Sequence, residues 1–111
     1  MSTIRQNKVA NLFKREFGDI FQRESRNLFR GNFITVTTVR VRPDFSLAKV
    51  YLSIFSKEKE SVLKMVKEQV PQIRKLLGQR IKNQVRIIPE IAFFIDDSLE
   101  YALEIEQLLD K

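Results

Sequence analysis

Cysteine, histidine and tryptophan are all absent from this 111-residue sequence. Without cysteine there is no disulfide framework and no thiolate metal site. Without histidine, the commonest general base, the commonest metal ligand and the usual partner of a nucleophile are missing too. Glycine is scarce: Gly18, Gly31 and Gly78 are too few and too scattered for a phosphate-cradling glycine-rich loop. Apolar runs such as Ile91 to Ile95 fall far short of the ~20 residues that span a bilayer. Residues 1–8 contain no apolar core of a secretory signal. These absences lead to the expectation of a cytoplasmic protein, off the membrane, with no cofactor, no metal and no catalytic residues.

What is present suits one domain, residues 1–111, α+β in class. Hydrophobic residues make up 43% and charged residues 31%, enough apolar content for a core and too much for a disordered chain. The net charge is +6 and is unevenly spread. Residues 1–95 hold 19 Lys/Arg against 8 Asp/Glu, whereas residues 96–111 hold one Lys against 6 acids. A basic body attracts phosphate.

Thr3 can cap a first helix, with Gln6 as its capping-box partner. Val9, Leu12, Phe13, Phe17, Ile20 and Phe21 then recur at helical spacing, which predicts a helix from about Ile4 to Leu28, ending before Gly31. From Phe33 to Arg42 the chain is rich in β-branched residues and reads as a strand. After turn chemistry at Pro43 to Ser46, Leu47 to Phe55 alternates, with Ala48, Val50, Leu52 and Ile54 on one face. The two strands form an antiparallel hairpin. From about Lys57 the stripe Val62, Met65, Val66, Ile73, Leu76 and Leu77 restores helical spacing. Pro71 interrupts it with a kink or break, and Gly78 is a weaker second break. Ile87 to Ile95 reads as a third strand with Pro89 at its start or on an edge. Asp97 caps a last helix, with Leu99, Leu103 and Leu108 as its apolar positions. The order is α-β-β-α-(kink)-α-β-α, with three strands and helices in two layers.

The basic positions are organised. Arg5, Lys8, Arg15, Arg23 and Arg26 lie along one side of the first helix, interrupted by Asp19. Lys64, Lys67, Arg74 and Lys75 share the solvent face of the kinked helix with Pro71. Arg80, Lys82 and Arg86 continue the charge, and Arg40 and Arg42 end the first strand. Phosphate contact and plain solvation both remain open for these faces. Most phenylalanines fall at core positions. Tyr51 and Phe55, on the other face of the second strand, either stack a base or cover the sheet. Asp96 and Asp97, with Glu90 or Asp44, are the best catalytic candidates, but capping of the last helix explains the pair better.

Several segments, in order and spacing, resemble the ribosome-binding factor A family. They are Arg5, Gln6, Asn7, Lys8, Val9 and Ala10; Ile34 and Thr35; Asp44 to Ser53; Ile73 to Gly78; Arg86 to Phe93; and Asp96 to Leu99. The resemblance covers nearly the whole chain. It implies a KH-like, type II fold. It also implies a monomer that binds the free, immature small ribosomal subunit and its rRNA, among other assembly factors. The implied role is late maturation and processing of that rRNA, notably in the cold. The family has an Ala-X-Gly kink where other KH-like folds carry Gly-X-X-Gly; this chain has Gln69, Val70 and Pro71 there, so proline supplies the bend. The RNA-binding set expected is Arg5, Lys8, Arg40, Arg42, Lys64, Lys67, Arg74, Lys75, Arg80, Lys82 and Arg86. Alternatives are a module for another structured or single-stranded RNA and a protein-interaction domain that dimerises through the hairpin.

Overall fold

The structure is a computed structural model that describes residues 4–96. Helix α1 spans Ile4–Arg23 and is followed by strands β1, Phe33–Val41, and β2, Leu47–Phe55. Helices α2, Lys59–Glu68, and α3, Val70–Ile81, lead to strand β3, Glu90–Ile95. This is the α-β-β-α-α-β order of a KH-like, type II domain. The sheet runs β1-β2-β3, antiparallel between β1 and β2 and parallel between β2 and β3. Parallel neighbours need a long crossover, and α2 with α3 supplies it. The Asp97 cap and the last helix lie outside the described residues.

Among the described residues, the helices cover one face of the sheet. Ile34, Val36, Val39, Ala48, Val50, Leu52, Ile54 and Phe93 turn inward and are buried, while Lys49, Ser53 and Phe55 face out. The inward series of β1 changes parity between Val36 and Val39 because a bulge sits at Thr37, between the paired Val36 and Thr38. The freed Thr37 hydroxyl donates to Asp96 Oδ2 at 2.6 Å, with the Tyr51 carbonyl 3.2 Å away. From α1, Phe13, Phe17, Ile20 and Phe21 enter the core. Phe93 meets Phe17 and Phe21 edge-on at 6.3 and 5.8 Å between ring centroids. Gln6 is the one buried polar residue among those described, and its amide donates to the Val41 carbonyl at 3.1 Å; the Thr3 cap lies outside the described residues.

Three expectations are corrected. Helix α1 stops at Arg23 and gives way to turns, short of the expected Leu28. The cause is Phe29, whose ring stacks on Phe21 at 4.7 Å. Eight residues of continuous helix would separate the two by about 12 Å along the axis. Arg30 and Gly31 reverse the chain with positive φ. Second, α3 runs unbroken through Gly78, which faces Ile88. Third, β3 begins at Glu90, with Pro89 just before it, because proline has no N–H for the ladder. The expected interruption near Pro71 does occur. Gln69 ends α2 and caps α3, and Pro71 falls in the first turn of α3, where a missing N–H costs nothing.

One ion-pair network joins α3 to α1. Arg80 Nη1 bonds Glu16 at 3.2 Å and also Asp19, which in turn pairs with Arg23 at 2.8 Å. The hydrogen bond from Arg80 holds the Asp19 carboxyl below its usual range. A depressed carboxylate stabilises the fold above its ordinary range and loses that contribution as pH falls through the folded-state value. The urea midpoint of the protein is therefore expected to drop as pH falls below ~4, and Arg80→Gln to show a shallower drop from a lower midpoint at pH 7. Equal slopes would remove the network from the account. A Cβ at position 78 would lie 3.6 Å from Ile88 Cγ1, an ordinary contact. Gly78→Ala should thus stabilise the protein by up to about 1 kcal/mol in the same assay; destabilisation would show that α3 needs flexibility there.

Candidate nucleic-acid interface

The exposed cations of α1 sit on the side that its aromatic stripe leaves to solvent. Arg5, Lys8 and Arg15 are exposed along the first three turns. The stripe residues recur every three or four positions, so the residues between them have to face water. Two further chain segments reach this end of α1. One is the β1–β2 turn, Arg42 to Ser46; the other is the loop after α3, residues 82–89.

The turn has an unusual centre. Phe45 N donates to Arg42 O at 2.9 Å, and the Asp44 carboxylate accepts from both the backbone N–H and the hydroxyl of Ser46 at 3.0 and 2.6 Å. The Ser46 hydroxyl, followed by its N–H, pulls the Asp44 carboxyl below its ordinary value. Phe45 itself is held at φ +59°, a left-handed conformation that costs a bulky residue roughly 1–2 kcal/mol. Its ring lies under the Arg5 guanidinium, 5.3 Å from carbon to centroid.

The loop is fixed by Arg74. Its Nη2 donates to Ile88 O at 2.9 Å and its Nε to Pro89 O at 3.2 Å. With the loop so anchored, Gln84, Val85, Arg86 and Ile87 close a cleft against Arg5, Val9 and Phe45, about 350 Å³ in volume. A shallower groove adjoins it, lined by Lys8, Asn11, Leu12 and Arg15 and sharing Val9, Gln84 and Val85. None of the residues lining either hollow is acidic. On the β1 side of the same helix, Gln6, Asn7 and Ala10 form another groove with Arg40.

The expected cations thus divide. Arg5, Lys8 and Arg86 gather at the start of α1, with Arg40 on its other flank and Arg42 in the turn. Lys64 and Lys67 on α2, Lys75 on α3 and Lys82 at its end are exposed to solvent. Arg74 and Arg80 are half-buried and already bonded, one to loop carbonyls and one to Glu16 and Asp19. They shape the surface rather than offering free charge to it. Residues Gln69 to Pro71 form the α2–α3 junction, with Pro71 exposed. Tyr51 stacks on Phe94 at 5.3 Å, so that ring covers its neighbour on the outer sheet face. Phe55 stays 85% exposed beside Phe33. Asp96 accepts from Thr37, and no cluster of three or more potential metal ligands occurs among the described residues.

Composition and periodicity did not single out Phe45, Gln84, Val85 and Ile87. The available signal was an aromatic residue inside otherwise polar turn chemistry, at Pro43 to Ser46.

Comparison with known proteins agrees with this architecture. The family model for ribosome-binding factor A matches residues 5–109. A ribosome-binding factor A of Cytophaga hutchinsonii is 51% identical over 112 residues, covering 100% of this chain and 84% of that protein. The crystal structure of ribosome-binding factor A from Thermus thermophilus superposes with a TM-score of 0.69 at 22% identity, covering 81% of this chain and 94% of that one. A homology model of the Thermus thermophilus factor, as fitted into the cryo-EM map of its complex with 30S, has a TM-score of 0.64 at 25% identity over 79% of this chain and 91% of that one. With the family matched over nearly the full length and the fold shared, this chain belongs to the ribosome-binding factor A family.

Proposed function

We propose that this chain binds the free, immature small ribosomal subunit through its rRNA and assists late maturation, including processing of that rRNA, without chemistry of its own. The observation that carries the reading is the gathering of Arg5, Lys8, Arg15 and Arg86 around two acid-free hollows at the start of α1. Lys64, Lys67 and Lys75 add exposed charge on α2 and α3. Cations so placed neutralise phosphates and release counterions. The complex of the Thermus thermophilus relative with 30S supports the choice of partner. A binding factor can favour one rRNA arrangement only by its differential affinity for the two. The domain accordingly holds the unfinished arrangement and leaves when the mature one forms. Its acidic residues 96–111 avoid the phosphates by charge.

Two outcomes test this. Affinity for isolated free small subunits should fall steeply as salt rises, and Lys8→Gln and Lys64→Gln should each lower the slope of log K against log salt by about 1. A flat salt response would reject phosphate contact. Arg80→Gln, by contrast, should lower the urea midpoint and leave the slope near that of the parent, because its charge is paired with Glu16 and Asp19 inside the fold.

A further inference from the structure

We propose that the cleft between the start of α1, the Phe45 turn and the loop after α3 takes one unstacked nucleobase of the bound RNA. The proposal rests on the RNA-binding reading above and names what this site recognises. Three observations meet there. The first is size: about 350 Å³ lies within the range of small-ligand sites and is room enough for one base. Single-stranded bases, splayed from their neighbours, are what proteins read in RNA.

The second is the wall chemistry. Val9 and Val85 give apolar sides, and Ile87 stands 59% exposed at the rim. The Arg5 guanidinium over the Phe45 ring, 5.3 Å from carbon to centroid, offers a planar group of the kind on which bases stack. Gln84 brings an amide that can both donate to and accept from a base edge. The third is the surrounding charge. Arg86 lines the cleft, and Lys8 with Arg15, whose Nε lies 3.7 Å from Glu16, lines the adjoining groove, which gives the flanking phosphates a basic path.

Phe45 ties these together. A glycine or asparagine would hold its positive φ at less cost, yet the position carries a ring. Strained backbone that persists in a fold is a pointer to function. Here the strain turns the ring beneath Arg5 and so presents the platform to the cleft.

The test uses the full chain and two readouts. In the first, backbone amide spectra are recorded with each of the four 5′-ribonucleoside monophosphates, with ribose 5-phosphate and with a pentaglutamate peptide. Amides of Phe45 and of residues 84–87 should shift with at least one mononucleotide and not with ribose 5-phosphate. In the second, Gln84→Trp fills the cleft mouth and Phe45→Gly removes the ring while easing the turn, so loss of folding does not confound them. Both should weaken binding to free small subunits by about tenfold and leave its salt slope unchanged. Equal shifts with ribose 5-phosphate, shifts with the acidic peptide alone, or parental affinity in both variants would overturn the proposal. In that last case subunit binding and its salt slope survive, so the broader reading stands. If the parent chain fails to bind subunits at all, that reading falls, and the cleft proposal falls with it.

Discussion

The contact of Phe93 with Phe17 and Phe21 is the constraint on which the molecule turns. The inner face of the three-stranded sheet is an apolar layer, and α1 covers much of it with aromatic rings. Phe93 sits on β3, an edge strand that pairs in parallel with β2. To bring it there, the chain has to cross over the sheet through α2 and α3 and then return past the start of α1. The loop after α3 is part of that return. The cleft is therefore a by-product of the crossover: it exists because β3 is parallel, and it lies where the returning chain meets α1.

The same arrangement decides which cations are free. Arg80 and Arg74 are spent on joining α3 to α1 and on holding the loop's carbonyls. Exposed cations remain on the outward faces of α1, α2 and α3, on β1 at Arg40, in the turn at Arg42 and in the loop at Arg86. Charge that shapes the surface and charge that offers itself to a partner are thus separate sets of residues in one short chain. The Pro71 junction shows a similar economy. There the missing N–H of proline falls in the first turn of α3, where no hydrogen bond is lost.

The strands, the hairpin, the α1 stripe and the break near Pro71 were legible because each is a local pattern of period 2 or 3.6, or a single-residue steric rule. The end of α1 was not, since the Phe21–Phe29 stack that bends the chain back is a tertiary contact. Gly78 looked like a weak point, but α3 runs through it, with Ile88 at ordinary contact distance. The interface was legible as a set of cations and illegible as a site. Arg80 finds its partners more than 60 residues away, and Phe45 meets Arg5 only after the hairpin is placed. Membership of the family came from the order of short segments along the chain, which no single property of composition would have given.

The most direct measurement is the distribution of the chain across a sucrose gradient of cell lysate, run at low and at high salt. The account predicts that at low salt it sediments with free small subunits in preference to mature ribosomes, and that it moves to the top of the gradient at high salt. Equal occupancy of mature ribosomes, or sedimentation away from small subunits at low salt, would contradict it.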